Sequence, residues 1–381
     1  MRRRAVRRHL YESVLLALFF AAIRATAAQQ TIQPSFLYDG AAFDDLSGGL
    51  RNGSTYLGTL RLRLTLDSAR TAAFVEVLNA HGGNPSDFAG DAQGVSSLAA
   101  PHQWRIEEAW IQENFFRAQL SILIGRYDLN SEFYRLQSAG LFLNSSFGVG
   151  PEFSQSGRNG PSIYPNTTTA VRIGWRTGNP ACPDRQDCLS STNLVFRAAA
   201  FDGLILGEVA YLSRPSSREM PRDIRFRLGR LAGLPAYEAK ISLGAWHYTN
   251  SPRSSGIYIL GDRTLVENGA RSVAAFGQLG IGDARTDRFG RYIGAGVVMA
   301  APFDGRAQDE LGLAAAAARD SGQYNIQQNA LKGETTLECT YLTPLNSHLA
   351  VQPDLQYVVH PSAERGRKNA LVMLLRFEIS R

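Results

Sequence analysis

The fold is decided by an eight-residue stretch with strict alternation, Leu60-Arg61-Leu62-Arg63-Leu64-Thr65-Leu66-Asp67. Four leucines occupy one parity, while two arginines, a threonine and an aspartate occupy the other. Side chains of a strand alternate between two faces, whereas a helix distributes them around its circumference. The stretch therefore predicts a β-strand with one apolar face and one polar, charged face.

The same two-residue period recurs along the chain, in runs that end at Gly, Pro, Asn or Asp. After residue 27, no stretch reaches the length of a transmembrane helix. Sixteen runs fit the pattern, with a weak one at 224–228. They lie at 60–67, 73–77, 103–114, 120–124, 171–176, 194–201, 204–211, 224–228, 237–248, 256–265, 272–280, 292–299, 311–317, 335–342, 348–358 and 370–379.

An all-β chain of this kind is compatible with a transmembrane barrel or with a secreted soluble protein such as a propeller. Residues 28–381 allow roughly 22 residues per strand, which suits an outer-membrane strand of about ten residues with its turns. An even strand count brings both termini to one side of a barrel, and no propeller-length repeat is present. We therefore expect a transmembrane antiparallel β-barrel of about 16 strands, with its isolated charges in a watery lumen.

Residues 1–27 have the features of a secretory signal peptide. A basic region (Arg2, Arg3, Arg4, Arg7 and Arg8) precedes an apolar core at 14–23 and an A-x-A site at Ala25-Thr26-Ala27. We expect a short N-terminal segment at 28–46 and the barrel domain at 47–381, in the bacterial outer membrane. Residues 28–381 carry 34 basic and 33 acidic groups, so the excess positive charge lies in the signal and nucleic-acid binding is not expected.

Cysteines and aromatic residues add two smaller expectations. Cys182 and Cys188, in ACPDRQDC, suit a small disulfide loop in an oxidising compartment; a metal site is disfavoured because no His is near. Cys339 stands alone in a strand pattern and is read as a small apolar side chain. Aromatic residues near the ends of runs, on the apolar parity, are typical of interfacial girdles: Tyr56, Trp175, Tyr211, Tyr237, Tyr341, Tyr357 and Phe377.

One connection is long and unusually aromatic, residues 125–175 between the runs at 120–124 and 171–176. An unstructured insertion of this length is uncommon in a compact domain, and such loops are often functional. We predict that it folds into the barrel and narrows the channel. Its candidates to reach the channel are Asp128, Glu132, Arg135 and Asn144, with Phe133, Phe142 and Phe147 packing it against the wall.

Parity also assigns a set of polar and aromatic side chains to the lumen. Arginine or lysine on the lipid side would cost roughly 2–4 kcal/mol each at the bilayer midplane. Facing Arg and Glu side chains can hold each other and still bond neutral hydroxyls, although they could equally serve only to brace the wall. The pore-lining candidates are Arg61, Arg63, Glu76, Glu108, Trp110, Arg172, Arg197, Glu208, Lys240, Trp246 and Glu338, of which Arg61, Arg63, Glu108 and Trp110 lie on the clearest strands.

Enzymatic chemistry is not indicated. No G-x-S-x-G, H-E-x-x-H or Walker motif occurs. Glu107 and Glu108 are adjacent, so they are expected on opposite faces of a strand and not as a glycosidase pair. Neither a metal nor another cofactor is predicted.

Several motifs together resemble the carbohydrate-selective porins of the OprB type. They are SGGLRNGSTYLGTLRLRLTLD (47–67), HG (81–82), GDAQGVSSLAAP (90–101), RIEEAWIQENFF (105–116), LSILIGRYDLNSEF (120–133), AGLFLNSSFG (139–148), GPSIYPNTTTAVRI (160–173), LGAWHYT (243–249), VQPDLQYVVHP (351–361) and NALVMLLRFEI (369–379). The match is weaker over 177–236, and the chain ends in Arg381 where such strands usually end in an aromatic.

The resemblance implies a sixteen-stranded outer-membrane barrel that passes sugars by passive diffusion, with the 125–175 loop as its constriction. Expected partners are mono- or oligosaccharides and outer-membrane lipid, with the protein as a monomer or homotrimer. Two alternatives stay open: a general diffusion porin, and a non-transporting structural barrel plugged by its own loops.

Overall fold

The computed structural model describes residues 31–68, 70–116, 118–177, 193–213, 237–250 and 253–381. Within these ranges sixteen antiparallel strands close into one barrel, each paired with its sequence neighbours and β1 paired with β16, which confirms the predicted fold class. The strands are β1 (Thr31–Gly49), β2 (Gly53–Asp67), β3 (Thr71–Gly82), β4 (Gln103–Phe115), β5 (Leu120–Tyr127), β6 (Thr168–Arg176), β7 (Asn193–Ala200), β8 (Leu204–Leu212), β9 (Ala239–Tyr248), β10 (Ser255–Asn268), β11 (Arg271–Ile281), β12 (Phe289–Ala300), β13 (Glu310–Asp320), β14 (Gly333–Pro344), β15 (Leu349–Val359) and β16 (Lys368–Ser380).

Alternation along the strands separates an apolar outer face from a mixed inner face. On β9, Ile241 and Leu243 are exposed on the outside, whereas Lys240 and Trp246 are buried inside. Leu62 of β2 is likewise exposed. This is the arrangement that a barrel wall needs when lipid lies outside and polar groups lie within.

The first strand corrects the predicted domain boundary. Residues 31–46, expected to precede the barrel, belong to β1, which pairs in register with β2 from Thr31 to Asp45. Pro34, Gly40 and the adjacent Asp44-Asp45 interrupt the alternation that identifies the other strands. Pro34 lies close to the strand's start and Gly40 admits the rings of Tyr56 and Phe377, so both fit this particular strand.

The strand count agrees with the prediction although one member differs. The candidate at 224–228 lies outside the described residues, and β8 pairs directly with β9. Residues 1–27 and the Cys182–Cys188 pair also lie outside the described residues, so the signal peptide and the disulfide stay predictions. Cys339 is free and exposed on the outward parity of β14.

Helices occur only as short pieces in the described connections. They are α1 (Ser86–Ala89), α2 (Pro151–Ser154) and α3 (Gly322–Gln328), with 3-10 turns at Leu129–Ser131, Ser138–Leu141, Ser145–Phe147 and Pro361–Ala363. Over the ranges that the structure describes, no helix has the length and apolar character needed to cross a bilayer.

Two connections at one end of the barrel pack against its inner wall. We name them the first inner loop (residues 83–102, between β3 and β4) and the second inner loop (residues 128–167, between β5 and β6). They bond each other, because Ser97 N donates to Leu143 O and Ser145 N donates to Gly94 O, both at 2.8 Å. The largest apolar cluster joins second-loop side chains such as Phe133 and Phe153 to wall residues such as Trp246 and Tyr258.

The start of β1 and Arg381 lie at the opposite end. Phe36 N donates to the carbonyl of Arg381 at 3.1 Å, and short connections such as 68–70 and 269–270 lie at this end. Outer-membrane barrels keep short turns on the periplasmic side and long loops outside. The inner loops therefore enter from the extracellular end.

The aromatic residues expected at the membrane interface divide into two groups. Tyr56, Trp175, Tyr211 and Tyr357 are about 40% exposed on the outer face. Phe377 contacts Tyr56 there, and Tyr341 lies on the outward parity of β14. Tyr237 is not in this outer group, because it lies before the start of β9 and outside the alternation of that strand. Its buried hydroxyl accepts from Gln137 N at 2.9 Å and donates to Asp262 at 3.0 Å.

Candidate functional site

One carboxylate organises the inner wall near β2. Arg63 on β2 lies directly opposite Glu76 on β3, and Arg61 is two residues along the same face. Arg61 Nη1 lies 2.9 Å from Glu76 Oε1, and Arg63 Nε lies 2.5 Å from Glu76 Oε2. The alternation that identifies the strand thus also sets this three-residue cluster.

The cluster lines a cavity of about 280 Å³ between the wall and the second inner loop. Its charged lining includes four guanidinium groups and five carboxyl groups, so neither sign dominates. The wall contributes Asp39, Arg61, Arg63, Glu76, Glu108, Arg376 and Glu378, and the second inner loop contributes Asp128, Asn130, Arg135, Asn144 and Tyr164.

Many of these charges are held in pairs. Arg376 on β16 donates from Nε to Asp39 Oδ1 on β1 at 3.0 Å, and its Nη2 lies 3.4 Å from Glu378. The Arg61 guanidinium also lies over the Tyr164 ring, 5.0 Å from its centroid. Leu136, Phe142 and Phe147 complete the lining with apolar surface. The cavity therefore offers oriented donors, oriented acceptors and an apolar face.

The predicted pore-lining residues all lie on the inner side of the barrel, but they do two different things. Four of them line the cavity: Arg61, Arg63, Glu76 and Glu108. Trp110 packs against Phe74, with ring centroids 5.6 Å apart, and donates from Nε1 to Glu108 at 3.2 Å. It therefore positions a cavity residue and does not itself line the cavity.

The remaining candidates hold the second inner loop. Glu208 accepts from Tyr134 N at 2.9 Å, and Lys240 donates to Arg135 O at 2.7 Å. Glu338 accepts from Leu143 N at 2.5 Å and from Asn144 N at 3.1 Å. Trp246 stacks on Phe153, with centroids 4.4 Å apart.

A buried ion cluster fixes the beginning of the same loop. Glu132 Oε2 lies 2.7 Å from Arg172 Nε, and Glu132 Oε1 lies 3.6 Å from Arg197 Nε. All three side chains are at most 5% exposed. Glu132 is therefore an anchor, and of the four predicted loop residues only Asp128, Arg135 and Asn144 line the cavity.

The phenylalanines expected to pack the loop are buried. Phe142 and Phe147 contact Phe276 of β11 at centroid distances of 5.6 and 5.9 Å, and Phe133 is fully buried in the apolar cluster. Apolar burial of about 1.5–3 kcal/mol per large side chain offsets the entropy of ordering the loop.

Two loop carboxyls have altered acidity. Burial raises the pKa of Asp128 to about 6, although the N–H of Asn130 bonds its charged form. Burial also raises the pKa of Glu152 in α2 to about 7, and the Tyr134 hydroxyl donates to this carboxyl at 2.9 Å. The charge of the loop therefore changes between mildly acidic and neutral pH.

The expectation that Glu107 and Glu108 lie on opposite faces of a strand is wrong. The register shifts from Glu76 opposite Glu108 to Val77 opposite Ile106, which makes Glu107 the extra residue of a β-bulge. Both glutamates are consequently buried, and Glu107 lies 3.1 Å from Arg105. Strict alternation cannot reveal a bulge, so the sequence carries no signal for this pair.

Other site residues were missed for different reasons. Arg376 and Glu378 alternate with Leu375 and Phe377, so parity could have found them. Asp39 could not be found because β1 itself was not recognised. The first inner loop is held by Glu334, which accepts from Ala92 N at 2.8 Å and Gln93 N at 3.0 Å; nothing in its sequence spacing indicates that contact.

Comparisons with known proteins agree with this architecture. The family model for the carbohydrate-selective porin, OprB family, matches residues 52–183 and 224–380. Porin B of Pseudomonas aeruginosa is 23% identical over 316 residues, covering 71% of this chain and 66% of Porin B, just under two thirds of its length.

Solved structures share the fold. The high-pH structure of Pseudomonas putida OprB superposes with a TM-score of 0.74 at 17% identity, covering 92% of this chain and 94% of that one. The low-pH structure of the same protein gives a TM-score of 0.57 at 16% identity, with 92% of each chain covered. With its family model matched over most of the barrel, this outer-membrane chain belongs to the carbohydrate-selective porin OprB family.

Proposed function

We propose that the chain is a passive pore for sugars and that solutes cross it through the cavity beside Glu76. The observation that carries this proposal is the lining, in which paired charges of both signs surround a space bounded on one side by the second inner loop. A ring of one sign would favour ions, whereas paired Arg and Glu groups retain capacity for neutral hydroxyls.

Each part of the lining has a role in this mechanism. Arg61, Arg63 and Arg376 donate to sugar oxygens, and Glu108 and Asp128 accept from hydroxyls. Phe142, Phe147 and Tyr164 offer apolar surface for the face of the ring. Because the arginines are already paired, each contact is individually weak, which lets a solute leave again. No covalent step or cofactor is required.

In this proposal, the selectivity of the pore depends on the contacts that anchor the second inner loop. Carboxylate, lysine and aromatic contacts hold the second inner loop against β8, β9 and β14, so the lining keeps one geometry. Each barrel encloses its own cavity, and the mechanism is therefore the same for a monomer and a homotrimer.

A plugged, non-transporting barrel is the second candidate. It is favoured by how completely the two inner loops bond each other and the wall. A general diffusion porin would instead conduct without distinguishing sugars from other solutes of similar size.

Planar-bilayer recording of the purified protein separates these functions. The proposal expects single channels whose ionic current is reduced by added sugar, with a weaker reduction in Arg63→Gln. Arg271→Gln, at an exposed ion pair with Asp304 outside the cavity lining, is the matched control. Absence of channels supports the plugged barrel, and channels that sugars do not affect support general diffusion.

A further inference from the structure

Two arginines face each other on the outer surface of the barrel. Arg291 on β12 is in direct register with Arg319 on β13, and both side chains are exposed on the outward parity. Side chains directly opposite on neighbouring strands lie about 4.5–5.5 Å apart at Cβ, and like charges there are destabilising. Neither guanidinium makes an ion pair or a side-chain hydrogen bond with the described residues. The repulsion is therefore not relieved within this part of the chain.

The arginine pair lies at the extracellular rim of the barrel. Arg291 is two residues from the start of β12 and Arg319 one residue from the end of β13, at the barrel end opposite Arg381. Near the interface an outward arginine costs only about 0–1 kcal/mol, because its head reaches the lipid headgroups.

An apolar groove begins two outward-facing pairs below the arginines. The pairs that follow along β12 and β13 are Ile293–Ala317, Ala295–Ala315 and Val297–Leu313. Ala295 and Ala315, with Ala275 of β11, form the floor of an outer groove of about 730 Å³. Larger side chains bound it on the far side: Leu313, Leu337, Leu355 and Tyr357.

We propose that this outer face is a binding site for a phosphate-bearing lipid, with its phosphate between Arg291 and Arg319 and one acyl chain in the groove. The planar guanidinium fork matches phosphate oxygens, and one anion between two cations relieves their repulsion. Ala295 and Ala315 lie four residues from the arginines, about 13 Å along a strand, a distance that an acyl chain attached to that headgroup can cover. Charge complementarity thus favours a lipid over a second copy of the chain, which would bring the same arginines.

The proposal is independent of what passes through the lumen, because none of these side chains faces inward. It is tested on the full chain in detergent by native mass spectrometry, with dimyristoylphosphatidylglycerol and dimyristoylphosphatidylcholine as probes. The acyl chains are identical, so the comparison isolates the headgroup. We expect at least about tenfold tighter binding of phosphatidylglycerol, which is about 1.4 kcal/mol, and loss of that preference in Arg291→Gln/Arg319→Gln.

Two further variants identify the parts of the site. Arg271→Gln/Arg285→Gln removes the same charge from exposed arginines that already pair with Asp304 and Asp283, and it should keep the preference. Ala315→Leu fills the groove floor, and it should weaken binding of the long-chain lipid while leaving short-chain dihexanoylphosphatidylglycerol unchanged.

The folding of each variant is measured separately, by its melting temperature. Without anionic lipid, Arg319→Gln should melt at the same temperature as the unchanged chain or higher, since it removes repulsion, whereas a merely structural arginine would lower the melting temperature. Equal binding of the two lipids, or a preference that survives the double Arg291/Arg319 variant, overturns the proposal. So does a lipid-independent oligomer that Ala315→Leu dissociates, because the groove would then be an interface between copies.

Discussion

At the scale of single residues, Glu76 has the most connected position in the cavity wall, since its two oxygens contact two arginines. In Glu76→Gln the cavity gains one positive charge and both guanidinium groups lose their anionic partner. We expect a loss of roughly 1–3 kcal/mol in the free energy of unfolding, below the usual value for a fully buried pair because the arginines are partly exposed. Reversal potentials in a KCl gradient should shift toward anion selectivity.

The control for Glu76 is Glu364→Gln, which removes the same charge at an exposed contact with Arg367. It should leave both the reversal potential and the sugar response unchanged. An unaltered reversal potential in Glu76→Gln would mean that ions do not pass this cluster.

Glu152 gives a pH dependence with a definite sign. Its pKa is raised by burial from 4.5 to about 7, so between these values the folded state binds more protons than the unfolded state. Stability then falls as pH rises through this range, by about 3 kcal/mol in all for this group. Glu152→Gln, which resembles the protonated acid, should lose less stability between pH 5 and pH 8 than the unchanged chain.

Thermal melting of the β-sheet circular-dichroism signal over that pH range provides the measurement. Burial also raises the pKa of Asp128. Glu152→Gln should therefore retain part of the decrease in stability with rising pH. If the melting temperatures of Glu152→Gln and the unchanged chain vary equally with pH, Glu152 is not buried as a neutral acid.

At the scale of elements, sequence alternation predicts strands well where lipid and lumen impose opposite demands on the two faces. β2 and β9 have this form, and their inner residues Arg61 and Lys240 follow from parity. β1 lacks it, since Pro34 and Gly40 interrupt the pattern, and the bulge at Glu107 changes parity without a sequence mark. Parity also cannot distinguish a residue that lines the cavity from one that is covered, because Arg172, Glu208 and Glu338 are buried by a loop folded from elsewhere in the chain.

The second inner loop is the element on which selectivity should depend. Glu338→Ala removes the acceptor for two backbone N–H groups, Leu143 N and Asn144 N. Leaving buried donors unsatisfied costs about 1–3 kcal/mol each, so this part of the loop should detach from β14. We expect larger and noisier single-channel currents with a weaker response to sugar.

The matched variant for the loop anchor is Asp304→Asn, at a carboxylate that is almost fully exposed. Its currents should equal those of the unchanged chain. If Glu338→Ala conducts and responds to sugar normally, the carboxylate does not set the position of the loop.

At the scale of the whole molecule, the barrel wall and the inner loops have different roles. The sixteen-stranded wall supplies a closed sheet with no free edge in the membrane. The inner loops pack against this wall and bound a small space beside the charged side chains of β1–β4 and β16. We propose that this space discriminates between solutes by hydroxyl chemistry and not by size alone.

Liposome swelling measures this discrimination. Proteoliposomes are exposed to monosaccharides and, in parallel, to neutral amino acids and amides of similar size. We expect faster swelling in the sugars, with the difference reduced in Arg63→Gln and preserved in Arg271→Gln. Equal swelling rates for sugars and the other solutes, or no swelling in any of them, would contradict it.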